Sequence, residues 1–428
     1  MKQFHDQFPE TAPGHPRYGF NVGFMTGMLE LGAFVGCLFL PYLADRISRK
    51  WAMSVATVFF TVGAIIQTAS RNYGTLVAGR AIGGIGVGTL AMGAPLYISE
   101  ISPPNLRGSL LVLEALSIVI GAIISYWITY GTKDMASEWS FRLPFLLQMP
   151  PALLVGLGIH FFPYSPRWLV MRQRDDDSLH ALAQLRRVPA TDDRVQAEWK
   201  GILIEWGDLF RPRCLKRTAV ALGIPLFQQF SGINAFVYYA PTFFKALGQD
   251  DNMALILSGM VNICQLAAGI PTFLYLDKMG RRKLAIFGGA AMAIPHLIMS
   301  GVVGKFDGSQ PRNGLVWSCP DLSRRAKGVG AATAMVWLAN FIIGVVVPEM
   351  IIKIGWGTYL FFGIFCALAS IFSFFLVLET ANKSLEQISQ LFGDHAVADE
   401  EAVYERIRHL VWAGQAHGAE HTEVKQSV

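Results

Sequence analysis

Apolar runs recur along this chain at a length and spacing that predict its elements. Ten stand out, over residues 21–43, 51–69, 76–99, 109–130, 143–163, 218–246, 253–276, 283–303, 328–348 and 355–378. Each is close to the roughly 20 residues that an α-helix needs to cross a bilayer. Backbone amides in lipid must be satisfied within each segment, so the runs predict membrane-spanning helices. Between the fifth and sixth runs lies a polar stretch, "SPRWLVMRQRDDDSLHALAQLRRVPATDDRVQAEWKGILIEWGDLFRPRCLKR". Its apolar residues fall at helical spacing among charges of both signs, which predicts short amphipathic helices outside the membrane. The chain therefore divides into an N-terminal bundle (1–163), a cytoplasmic linker (164–217), a C-terminal bundle (218–378) and a cytoplasmic tail (379–428).

Composition agrees: 52% of residues are hydrophobic and 16% charged, against roughly 25% charged in a soluble domain. The net charge of +5 reads as topology and not as affinity for nucleic acid, because the basic residues cluster in alternate loops. "ADRISRK", "PPNLRG", the central stretch and "DKMGRRK" are positive and belong on the cytoplasmic side, with "SRNYGT" and "GTKDMASEWS" opposite. This alternation places the amino terminus outside. It breaks after the eighth run, where "KFDGSQPRNGLVWSCPDLSRRAKG" is too polar to cross, yet "SRRAK" reads as cytoplasmic. A crossing is missing there.

Residues 1–18 lack the basic-then-apolar pattern of a signal peptide. Cysteines 37, 214, 264, 319 and 366 follow no metal or disulfide spacing and read as packing residues. No nucleophile–base pair, metal cluster or phosphate-cradling loop lies in the apolar runs, which argues against an enzyme and implies no cofactor. The glycines of "GRAIGGIGVG" read as close helix packing. The end of the tail, "HLVWAGQAHGAEHTEVKQSV", reads as disordered.

Candidate chemistry concentrates in "QQFSGINAFVYY" (228–239). Gln228, Gln229 and Ser231 cluster at one turn, and Asn234 and Tyr238 continue that face. Such groups are costly in lipid unless paired, so they face the bundle interior or a watery cavity. Side-chain amides both donate and accept, matching the hydroxyls of a neutral sugar or polyol. The alternative is hydrogen bonding between helices, worth about 0.6 kcal/mol per contact. Gly232 suits a break in the helix near a substrate. "DRISRK" and "DKMGRRK" occupy matching loops in the two halves. Such repetition marks transporters built from related bundles, although topology marking alone would also place basic loops there.

Five motifs now carry a resemblance. "AGRAIGGIGVG" (78–88), "PLYISEISPPNLRG" (95–108), "PYSPRWL" (163–169), "QQFSGINAFVYYAP" and "ETANKSLEQI" (379–388) stand in the order of the sugar porters of the major facilitator superfamily, and the chain resembles that family's fungal hexose transporters. The resemblance implies an all-α, two-bundle transporter with about ten of the usual twelve helices, in the plasma membrane. It implies transport of a hexose-like monosaccharide by alternating access; the alternative is a non-transporting sugar sensor or an inactive truncated paralogue. Its partners would be a small neutral sugar and the lipid bilayer.

The resemblance assigns substrate contact to Gln228, Gln229, Asn234, Tyr238, Asn262, Asn340 and Trp337. It assigns a cytoplasmic latch favouring the outward-facing state to Asp45, Arg46, Arg49, Glu100, Arg107, Asp277, Arg281, Arg282 and Glu379. Arg80 matches an arginine of the fourth helix and joins the gating set; ordinary surface ion pairs, worth little when exposed, are the alternative for the latch. Three departures stand out: Ser48 replaces the usual glycine of the first latch loop, Tyr164 the usual glutamate of "PYSPRWL", and Ala115, beside Glu114, a sugar-contacting glutamine. Glu30 reads either as functional or as paired with a neighbouring helix. By motif alignment the family's first and tenth helices are missing. The family's proton-coupling carboxylate lies on the first, so proton coupling is possible in the family but unsupported by this sequence.

Overall fold

The structure, a computed structural model, describes residues 2–103, 107–192, 195–196, 199, 223, 226–246, 248–279, 281–306, 328–354 and 356–376. Its helices are α1 (Lys2–Gln7), α2 (Tyr18–Ile47), α3 (Arg49–Ala69), α4 (Tyr73–Ile101), α5 (Arg107–Thr132), α6 (Trp139–Leu147), α7 (Met149–Gly158), α8 (Pro166–Met171), α9 (Asp175–Arg186), α10 (Ile233–Ala246), α11 (Asp251–Met279), α12 (Arg281–Phe306), α13 (Gly328–Lys353) and α14 (Trp356–Leu376). Nine spans among the described residues are long and apolar enough to cross a membrane. The fifth predicted run is α6 and α7, divided at Gln148 between Pro144 and Pro150. The sixth is only partly described, and the segment 307–327, where a crossing is missing from the pattern, lies outside the described residues.

In the N-terminal half α4 packs on both α2 and α3. Its glycines make this possible. A Cβ on Gly88 would collide with the backbone oxygen of Ala33, one on Gly84 with that of Leu29, and one on Gly83 would crowd the Gln67 side chain and Gly63. Small residues let helix backbones approach where lipid provides no hydrophobic drive. In the C-terminal half α12 packs on α14, and Tyr239, Phe243, Met299, Ile343, Val347, Tyr359 and Phe362 form a core across α10, α12, α13 and α14. The halves meet where α2 packs on α13 and α5 on α11.

The amphipathic helices dock at one end of the N-terminal half. Trp168 of α8 donates from Nε1 to the Asp45 carbonyl (3.1 Å), and Arg186 of α9 donates to the carbonyls of Ile101 (2.9 Å) and Ser102 (3.3 Å). Cationic and N–H groups here satisfy carbonyls that helix C-termini leave without intrahelical partners. At the opposite end the N-terminal segment covers the bundle. Phe8 is fully buried beside Phe141 and Leu76, while Gln3 and Gln7 donate to the carbonyls of Met135 and Arg71 (2.7 Å each).

Candidate functional site

The amide-rich stretch folds as two helical pieces. Residues 226–230 are helical, Ser231 and Gly232 form a turn with Gly232 at φ 86°, and α10 follows with a second kink at Tyr239. Ser231 Oγ donates to the Gln228 carbonyl (2.6 Å), which satisfies an acceptor at the break.

Across that break the amides join. Asn234 Nδ2 donates to Gln229 Oε1 and to Asn340 Oδ1, both at 2.6 Å. Asn340, on α13, donates from Nδ2 to Glu30 Oε2 (3.4 Å), and the Tyr238 hydroxyl donates to Glu30 Oε1 (2.7 Å). Gln229, Asn340 and Glu30 are all buried, Glu30 at 1% exposure. Four of the seven expected contact residues, Gln229, Asn234, Tyr238 and Asn340, therefore form one network, closed by a carboxylate from the other half of the molecule. Trp337 lies one turn before Asn340 on α13, and its buried indole N–H has no hydrogen-bond partner among the described residues. The Gln228 and Asn262 side chains make no bond to the network among the described residues; Asn262 is buried on α11.

Arg80 points from α4 toward this region, where Glu30, Tyr238 and Tyr239 act on it electrostatically, and its Nε has no hydrogen-bond partner among the described residues. The sequence grouped Arg80 with the gating residues; the structure sets it beside this network and not beside the Arg49–Glu100 cluster. Sequence reasoning left Glu30 undecided. The available signal was a carboxylate within an apolar run, which is a functional candidate on energetic grounds alone.

The residues of the N-terminal half expected to form a latch lie at the end where α8 docks. Arg49 donates from Nε to Glu100 Oε2 (3.1 Å), pairs through Nη1 with Asp45 Oδ1 (2.9 Å) and donates to the Ala44 carbonyl (3.1 Å). Ser165 Oγ donates to Glu100 Oε2 (2.5 Å). Arg46 stands apart, donating to the Tyr42 hydroxyl (2.6 Å) over its ring. Tyr164 replaces an acid with a π-face. Lys50 Nζ lies 4.7 Å from its ring centroid while donating to the carbonyls of His160 (3.1 Å) and Phe162 (2.7 Å). The side chains of Arg107, Asp277, Arg281 and Arg282, and the whole of Glu379, lie outside the described residues.

The sequence pattern of the family described as "Sugar (and other) transporter" matches residues 2–319 and 315–392. The chain belongs to that family. It is similar to the high-affinity glucose transporter of Kluyveromyces lactis, at 29% identity over 89% of this chain and 79% of that protein. It is also similar to the sugar transporter STL1 of Saccharomyces cerevisiae, at 31% identity over 92% of this chain and 76% of that protein. In fold it resembles the proton:xylose symporter XylE bound to 6-bromo-6-deoxy-D-glucose, with TM-score 0.75 and 23% identity over 91% of this chain and 93% of that one. The major facilitator fold and an integral, multi-pass membrane protein of a transporter family, not an enzyme family, follow.

Proposed function

We propose that this chain moves a neutral, hexose-like monosaccharide across a membrane, the plasma membrane, by alternating access. The carrying observation is the network of Gln229, Asn234, Asn340 and Tyr238, which spans a helix break and ends on Glu30 of the opposite half. Amide and phenol groups exchange partners with sugar hydroxyls without a change in charge, and a sugar ring face suits the Trp337 indole. Gln228 and Asn262 complete the set of contacts in this reading.

Alternating access needs bonds made in one state and broken in the other. Arg49, Asp45 and Glu100 form a charged cluster at one end of the N-terminal half, and in this reading that end meets the other half through a latch completed by Arg46, Arg107, Asp277, Arg281, Arg282 and Glu379. Uptake of radiolabelled hexose in cells lacking their own sugar carriers tests it. The chain should accumulate label, and Asn234→Leu should weaken apparent affinity roughly tenfold, since an unpaired buried partner costs about 1–3 kcal/mol. No uptake from folded, membrane-localised protein would overturn transport, and hexose binding without uptake would establish a sensor instead.

A further inference from the structure

Glu30 lies on α2 at 1% exposure, inside a span with mean hydropathy 1.7. Among the described residues, the donors that reach its oxygens come from the other half: Tyr238 of α10 at 2.7 Å and Asn340 of α13 at 3.4 Å. Arg80 of α4 faces it from its own half, and Tyr239 of α10 lies within electrostatic reach. An ionised carboxylate away from water is tolerated when donors hold it and is costly when they leave. Motion of one half against the other withdraws Tyr238 and Asn340 together, since neither belongs to the half that carries Glu30. A sugar hydroxyl that recruits either donor has the same effect.

We propose that Glu30 is the proton-exchanging group of the sugar site, taking up a proton when solute draws Tyr238 and Asn340 away and giving it back when they return. This rests on the reading of the network as a sugar site. The exchange balances simply. A proton from water forms an O–H bond at one Glu30 oxygen, the carboxylate becomes neutral, and the same bond later breaks to return the proton to water, with no electron transferred. Neutral Glu30 holds the phenol and the amide less strongly, so both become available to sugar oxygens. Arg80 opposes the step by favouring the charged form. Linkage is reciprocal, so solute that promotes protonation must bind more tightly as pH falls.

The experiment uses the full chain in lipid nanodiscs, with binding of radiolabelled D-glucose measured from pH 5 to pH 8. Wild-type affinity should weaken as pH rises, approaching about tenfold per pH unit, the limiting slope for one proton. Glu30→Gln should bind with a flat profile, and Glu30→Asp should restore a slope at a displaced pH. Infrared difference spectra between the two pH limits supply a readout that needs no ligand: a buried protonated carboxyl band, present in wild type and absent from Glu30→Gln. A flat wild-type profile, or a slope or band that survives in Glu30→Gln, overturns the proposal. Glucose counterflow in proteoliposomes is scored separately, so its absence counts against transport while the binding slope still decides the role of Glu30.

Discussion

Ser48, between α2 and α3, adopts φ 98° and ψ 158°, a region that glycine enters freely and other residues enter at a cost of about 1–3 kcal/mol. It is held there because the next two residues are both buried, Arg49 against Glu100 and Lys50 against the carbonyls of His160 and Phe162. Its Oγ accepts from the Trp51 amide at 3.4 Å, a long cap. Ser-to-Gly exchange at an N-cap loses only a few tenths of a kcal/mol. Ser48→Gly should therefore raise stability by about 1 kcal/mol, read as a higher unfolding midpoint in detergent; a lower midpoint would refute the strain. The sequence marked Ser48 as a departure from a glycine, and the backbone explains why glycine suits the place. Tyr164 was legible only as a missing acid, because its value depends on Lys50, more than a hundred residues earlier in the chain. Glu30 shows the same limit. Its donors lie 208 and 310 residues away, and no local pattern in the sequence points to them.

Among the elements, the break before α10 sets the site's geometry. Gly232 brings Asn234 back within 2.6 Å of Gln229, although the two are five residues apart and a continuous helix would turn them to different faces. A Cβ at Gly232 would lie 2.8 Å from the Phe362 ring, on a residue whose φ of 86° already disfavours a side chain. Gly232→Ala should therefore destabilise the chain by about 1–3 kcal/mol and weaken hexose binding as well. Thermal unfolding with a parallel binding isotherm checks both, and unchanged binding would separate the break from the site. Hydropathy made the spans legible, since one face of nearly every helix must meet lipid. It located α3 within two residues at its start and at the same end, Ala69. It missed the division of α6 from α7 because Pro144, Pro150 and Pro151 lie within an apolar run that scores like any other.

Over the whole molecule, one set of hydrogen bonds ties the halves at the end remote from the Arg49–Glu100 cluster. Asn252 Oδ1, at the start of α11, accepts from Tyr130 of α5 (3.1 Å) and from Lys133 just beyond it (2.6 Å), and the Leu255 carbonyl accepts from Tyr126 of α5 (2.6 Å). On the same side α2 closes on α13, where a Cβ on Gly23 would lie 2.7 Å from the Val345 oxygen. The excess of basic loops at the Arg49 end makes this the expected outer end. These bonds hold the outer ends of the two bundles together, so they oppose the outward-facing state, whereas the Arg49–Glu100 cluster stays within one half and shapes its inner end. Removing the ties should shift the balance toward outward opening. Asn252→Ala with Tyr126→Phe deletes three hydrogen bonds, each contributing about 0.5–1.5 kcal/mol, enough for a shift of roughly fivefold or more in population. A cysteine at Thr26, on α2 between the outer end and Glu30, reports it through a membrane-impermeant thiol reagent added outside. Labelling should quicken by that factor in the double variant, and excess hexose should alter the rate in both backgrounds. Equal labelling with and without the ties would mean that α2 and α13 alone keep the outer end shut.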